Sequence, residues 1–171
     1  MTAVEGLAPI IDHNARVLIL GSIPSVESLR KSEYYANPRN QFWKIIFSIF
    51  DSALETSYAA KVSFIKGKRI ALWDVIQRCD REGSSDSKIT GVIINDFTSL
   101  FATYPRVKYL CFNGQKAFNI FKKEVELNAS PQIKPILLPS SSSANTSMFT
   151  EKKREWAKIK HCYLTDPGCI S

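Results

Sequence analysis

The sequence predicts an α/β fold, a three-layer αβα arrangement around a central four-stranded parallel sheet. Two observations carry this expectation. Four short apolar runs, Val17 to Leu20, Arg69 to Val75, Val107 to Phe112 and Pro135 to Leu138, are continuous and rich in Val, Ile, Leu or Tyr. Strands covered on both faces read that way. Between them, apolar residues recur at three- and four-residue steps, and alternation of strand with helix predicts parallel pairing. The chain has 171 residues, 44% hydrophobic and 11% aromatic, enough for one domain with a full core and no staples. No repeat or second composition regime divides it, so residues 1–171 read as a single unit.

The elements follow in order. Val17 to Leu20 runs into Gly21-Ser22-Ile23-Pro24-Ser25, opening a loop that reads as far as Asn40. Phe42-Trp43, Ile45-Ile46 and Ile49-Phe50 then mark an amphipathic helix. After the second strand, residues 77–90 read as a loop holding Arg78, Asp80, Arg81, Gly83, Ser84, Ser85 and Asp86, with Asp86 able to order it through Arg81. Phe97, Leu100 and Phe101 mark a helix, as do Ala117, Phe118, Phe121, Val125 and Leu127. The third strand ends in Asn113-Gly114, a strong turn pair. The fourth ends in Pro139 to Ser147, a small polar stretch that reads either as a linker or as a loop offering backbone N–H groups to a phosphate. Right-handed crossovers put all four strand ends on one edge, where α/β sheets carry their sites.

Lys and Arg total 23 against 16 Asp and Glu, a net charge of +7. That balance fits a nucleic-acid partner without implying a fold. Lys152, Lys153, Arg154, Lys158, Lys160 and His161 crowd one segment, and Lys116, Lys122 and Lys123 another; both also read as solvated helix faces. Cys79, Cys111, Cys162 and Cys169 include no pair at the two-residue spacing of a zinc or iron–sulfur site. Cys111 reads as a core thiol, and only proximity in sequence argues for a Cys162–Cys169 disulfide. There is no secretory leader and no window of 18 apolar residues, so the expectation is an intracellular, cytoplasmic protein with reduced thiols.

The most informative stretch is Tyr34-Tyr35-Ala36-Asn37-Pro38-Arg39-Asn40-Gln41-Phe42-Trp43. It combines stacking faces, a guanidinium fork that fits a phosphate, and neutral amides that read a base or orient a water. The mixture points to a nucleobase pocket. Taken with Gly21-Ser22-Ile23-Pro24-Ser25, Asn113-Gly114 and Leu138-Pro139-Ser140-x-Ser142, it resembles the uracil-DNA glycosylase superfamily, and within it the hypoxanthine-DNA glycosylase branch, family six. Leu72-Trp73-Asp74-Val75 to Asp86 also fits that branch, and the resemblance spans roughly residues 16 to 160.

The resemblance implies a four-stranded parallel sheet between helices and excision of a damaged base from DNA, without metal or organic cofactor. It makes Asn40 the main catalytic residue. Asn113 contacts the base edge, Tyr35 stacks on the base, and Leu138 to Thr146 form the loop that enters the duplex. Ile23 stands where mismatch-specific relatives carry Asn, so the water-activating role passes to Asn40. Asn37 stands where related sequences often have His, and Ser143 where the branch usually has Pro.

Each residue also has a plainer role. Asn40 precedes a helix and fits an N-cap. Phe112, one of three candidate stacking rings with Tyr34 and Tyr35, also fits the core, the usual place for an aromatic ring. Ser22 and Ile23 complete the expected base-binding set. Arg39, Ser25, Ser140, Ser141, Ser142 and Asn145 are expected at the DNA phosphates, with Lys152 and Lys153 adding salt-sensitive affinity. Asn113 needs a second residue to fix its amide, since a rotating amide accepts either adenine or its deaminated counterpart; the sequence identifies none. Asp74 fits sheet-edge hydrogen bonding or a general base. No lysine is placed for Schiff-base chemistry, so base release without strand cleavage is expected. The expectation is a monomeric DNA glycosylase acting on hypoxanthine first, with uracil or xanthine as further bases, in double-stranded DNA. The alternatives are a catalytically weak module binding damaged or single-stranded DNA, and a domain acting on free nucleosides. Absence of a dinucleotide glycine fingerprint argues against the last.

Overall fold

The four apolar runs form one parallel sheet in the computed structural model, which describes residues 2–82, 89–125 and 133–164. The strands are β2 (Val17–Gly21), β3 (Ile70–Asp74), β6 (Tyr109–Asn113) and β7 (Lys134–Leu138), in the order β3-β2-β6-β7. Every residue of β2 is buried, because a strand lies on each side and helices cover each face. Successive side chains point to opposite faces. Val17 and Ile19 therefore join one core with Ile70, Leu72 and Cys111, while Leu18 and Leu20 join another with Ala71, Leu110 and Phe112.

The first core is covered by α2 (Phe42–Ile49), α3 (Tyr58–Gly67), α6 (Phe149–Trp156) and α7 (Lys158–Leu164). In α2 only Lys44 and Ser48 escape burial, since the helix lies between the sheet and α6. The second core is covered by α4 (Phe97–Thr103) and α5 (Gln115–Glu124), through Phe97, Leu100, Ala117 and Phe121. These are the three expected layers.

Two expectations are corrected. Residues 21–40 are not all loop: α1 (Val26–Lys31) forms within them, capped by the Ser25 hydroxyl on the N–H of Ser28. Residues 77–90 are not one loop either. They contribute to an antiparallel sheet in the order β1-β4-β5, built from β1 (Thr2–Glu5), β4 (Ile76–Arg81) and β5 (Thr90–Ile94). Gly83, Ser84, Ser85 and Asp86 lie outside the described residues, as do Leu127 and Cys169. Cys79, Cys111 and Cys162 are buried and form no disulfide among the described residues. Among the described residues, no helix is long and apolar enough to cross a membrane.

The register brings the chemistry together. Gly21 pairs with Asp74 and Asn113 with Leu138, so all four residues end their strands on one edge. Leu138 itself is buried, which confines the exposed serine-rich segment to residues after Pro139.

Candidate active site

A cavity of about 520 Å³ opens at that edge. Its volume falls within the roughly 300–1,000 Å³ of small-ligand pockets. Its walls are the segment after β2 (Gly21 to Ser25), the Tyr34 to Asn40 loop, Asp74, Asn113 and the serine segment from Ser140 to Asn145. Five pieces of the chain, spread from residue 21 to residue 145, therefore converge.

Gln41, not Asn40, is the N-cap of α2 and has no side-chain cap bond; Asn40 stands one residue earlier, and its Oδ1 accepts from the N–H of Phe42 at 2.9 Å. The same oxygen accepts from the Ser141 hydroxyl at 2.9 Å. Among the described residues its Nδ2 donates to no protein group, and the residue lines the cavity. One side chain thus both meets a free N–H at the start of α2 and lines the cavity.

Ser141, fully buried, also binds Asn113 twice. Its N–H donates to Asn113 Oδ1 at 2.8 Å, and Asn113 Nδ2 donates to the Ser141 hydroxyl at 2.8 Å. Its carbonyl accepts from the N–H of Gln41 at 2.9 Å. Here is the residue that fixes Asn113. Two consequences depart from expectation. Ser141 is not available to grip a phosphate, and the paired O and N–H edge of Asn113 is already engaged by protein.

Tyr35 sits at φ +55°, a left-handed conformation uncommon for a residue with a large side chain. Phe42 stacks on one face of its ring at 3.8 Å between centroids, 15° from parallel. Burial, then the nearby Asp74 charge, push its phenol pKa up, and a hydrogen bond from Asn113 partly opposes them. Tyr34 is buried deeper in the wall, its hydroxyl directed at the carbonyls of Leu7 and Ala8. Burial, followed by the Asp74 charge, raises its pKa as well. Asp74 Oδ1 lies only 2.5 Å from where a Cβ on Gly21 would stand, so no larger residue fits at Gly21 without moving that carboxylate.

Ser22 and Ile23 line the cavity, with Ile23 also anchored against Ile76 and Cys79. Arg81, buried in β4, braces this segment by donating to the Pro24 carbonyl at 2.7 Å. The serine stretch is a compact turn, not a linker. Ser140 Oγ accepts from the Ser142 N–H, Ser142 Oγ from the Ala144 N–H, and Asn145 Nδ2 donates to the Ser140 carbonyl.

Four expected residues fall outside the cavity wall. Phe112 is fully buried in the second core, beside Phe118 and Phe121, and is not a base-stacking ring. Lys152 is not a surface contact for DNA. Its buried ammonium donates to Gln41 Oε1 (2.9 Å), the Ser142 carbonyl (3.3 Å) and the Asn145 carbonyl (2.8 Å). Burial lowers its pKa. It lies on the inward face of α6, four residues before the buried Trp156; that i, i+4 spacing was the available signal. Arg39 is exposed, on a turn closed by its own N–H to Asn37 Oδ1. Lys153 is half-buried on α6.

The comparisons with known proteins agree with this fold. Residues 8–162 match the family model described as the uracil DNA glycosylase superfamily. A hypoxanthine DNA glycosylase of Methanosarcina acetivorans is 40% identical over 157 residues, covering 91% of this chain and 96% of the relative. One of Methanosarcina barkeri is 39% identical over 155 residues, covering 90% and 96%. The solution NMR structure of a candidate uracil DNA glycosylase from M. acetivorans superposes with a TM-score of 0.79 at 36% identity, covering 94% of this chain and 99% of that one. With the parallel sheet, the strand-end cavity and a match over nearly its whole length, the chain belongs to the uracil DNA glycosylase superfamily.

Proposed function

We propose that this protein is a DNA glycosylase that hydrolyses the N-glycosidic bond of a flipped deaminated base, hypoxanthine first, in double-stranded DNA, acting as a monomer inside the cell. The observation that carries the reading is the cavity: it unites Asn40, Asn113 and Tyr35 in a chain 40% identical to a hypoxanthine DNA glycosylase.

In base excision the electron pair of the C1′–N bond leaves with the base, and the sugar becomes cation-like. Water then adds to C1′, releasing its proton to solvent, and the departed base takes a proton from solvent. The base must be taken out of the duplex, which costs a few kcal/mol and least at a mispair. Tyr35 returns part of that cost by stacking, worth about 1–3 kcal/mol per base. Phe42 holds the ring from behind, so the ring is positioned before DNA arrives. Asn40 faces the bond that breaks. Arg39, Ser25, Ser140, Ser142 and Asn145 contact the flanking backbone. The Lys152 ammonium, engaged on three oxygens, is in no position to form a Schiff base, which supports base release without strand cleavage.

The test is incubation with duplexes carrying one deoxyinosine, deoxyuridine or deoxyxanthosine, followed by hot alkali. Cleavage at the modified position, with none before alkali, is expected. No release from any duplex overturns the enzyme reading; tight damage-selective binding without release would favour a binding module.

A further inference from the structure

We propose that Ser141 is a positioning residue that locks the Asn40 amide with its NH2 toward the cavity, making Asn40 a donor to the departing base and not the acceptor that holds the attacking water. The inference rests on the glycosylase reading and goes beyond it by assigning hydrogen-bond polarity.

Two backbone N–H groups, which can only donate, set that polarity. The Phe42 N–H meets Asn40 at 2.9 Å, so the atom there is the carbonyl oxygen. The Ser141 N–H meets Asn113 at 2.8 Å, so that atom too is an oxygen. The Asn113 NH2 is then the group 2.8 Å from the Ser141 hydroxyl and donates to it. The hydroxyl proton is left for its remaining neighbour, Asn40 Oδ1, at 2.9 Å. Turning either amide over sets donor against donor. Both lone pairs of Asn40 Oδ1 are thereby used. What Asn40 offers the cavity is its two N–H bonds.

A fixed donor suits one half of the reaction. When the C1′–N bond breaks, negative charge spreads from the ring nitrogen to the carbonyl oxygens of the base, and a pre-aimed N–H stabilises it. The same donor also discriminates. Deamination replaces an exocyclic amine, itself a donor, with a carbonyl acceptor. Hypoxanthine, xanthine and uracil carry that carbonyl; adenine and cytosine carry the amine. A freely rotating amide would adapt to either, whereas a locked one meets the parent base with donor against donor.

The experiment is single-turnover excision from whichever modified duplex the wild type cleaves fastest, for Asn40→Ala, Asn40→Asp, Ser141→Ala and the double variant Asn40→Ala/Ser141→Ala. Aspartate keeps the oxygens that face Phe42 and Ser141 but donates nothing and adds a negative charge beside the leaving base. Asn40→Ala is expected to fall roughly 100- to 1,000-fold, in the range found for single donor deletions. Asn40→Asp should be no faster than Asn40→Ala. Ser141→Ala should fall about tenfold or more in the maximal rate, with little change in the DNA concentration for half-saturation. That loss should vanish in the Asn40→Ala background, because the two residues act as one unit. Recovery of Asn40→Asp to within about tenfold of wild type would overturn the proposal, since a carboxylate serves a water-holding role well. So would a Ser141→Ala loss of equal size with and without Asn40. If Ser141→Ala does not fold, the Asn40→Asp comparison decides alone. An inactive wild type would count against the glycosylase reading, whereas an active wild type with a rescued Asn40→Asp would count against this inference only.

Discussion

The Lys152 ammonium lies 2.9 Å from Oε1 of Gln41, across 111 residues of sequence. The contact joins α6 to the start of α2, directly beside Asn40. Because the same ammonium also binds the Ser142 and Asn145 carbonyls, one buried cation holds the serine turn against the residue it positions. Lys152→Met leaves three oxygens without their donor. The expected loss is about 1–3 kcal/mol of stability. For a chain of this size that lowers Tm by roughly 2–12 °C, with excision reduced in parallel. Lys153→Met, on the half-buried side of α6, should leave Tm within about a degree. Calorimetry on the two variants checks the contrast.

Gly114 joins β6 to α5 at φ +98°, and an added Cβ would stand 3.0 Å from the Ser140 Cβ. Gly114→Ala therefore combines backbone strain with a push on the turn. It should cost about 1–3 kcal/mol in urea unfolding. Gly67→Ala is the control: nothing lies within 4 Å of its added methyl. It ends α3, where Ala is a better helix former than Gly, and the change should be neutral or stabilising by up to about 1 kcal/mol.

Phe112 and Tyr35 separate core from site. Phe112→Ala empties a fully buried ring position and should cost about 3–5 kcal/mol in stability. Tyr35→Ala should weaken excision tenfold or more while costing less stability than Phe112→Ala, and Tyr35→Phe should retain most activity because the stacking face survives. Excision rates alongside melting curves read both effects.

The pH dependence follows from the tyrosines. Burial and the Asp74 charge raise the phenol pKa of Tyr34 and Tyr35 in the folded state. A raised pKa contributes stability that is complete below the unfolded value, about 10, and is lost as pH climbs past it toward the folded values. Tm should thus fall steeply above about pH 10. Tyr34→Phe and Tyr35→Phe should each flatten that alkaline limb, as melts between pH 8 and 11 would register.

Arg39 is exposed, one residue before the cavity-lining Asn40. If it meets a phosphate, Arg39→Ala weakens DNA binding about equally for all sequences and reduces the slope of log K against log salt by about 1. Fluorescence anisotropy at several salt concentrations measures that slope, and an unchanged slope removes Arg39 from the DNA contacts.

The parallel sheet was legible because strands buried on both faces leave unbroken apolar runs, as in Val17 to Leu20. β4 was hidden for the opposite reason. Only Ile76, Cys79 and Arg81 of its six residues are buried, and register shifts around Arg78 break the alternation a half-buried strand would display. The strand-end residues Asn40, Asn113 and Tyr35 were visible as polar and aromatic groups following apolar runs. What fixes them was not. Ser141 is one of four consecutive serines, and nothing local marks it as the buried one; its role arises from contacts with residues 28 and 101 positions away. Lys152 sat in a run of basic residues that looks solvated, while the helix turns that one lysine inward.

The most direct test of the whole account is base release from a duplex containing one deoxyinosine, comparing wild type with Asn40→Ala at matched folding. The account predicts alkali-labile cleavage by the wild type and a loss of roughly 100-fold or more in the variant. Equal release by both proteins would contradict it, because the cavity would then carry out its chemistry without the Asn40 amide that lines it.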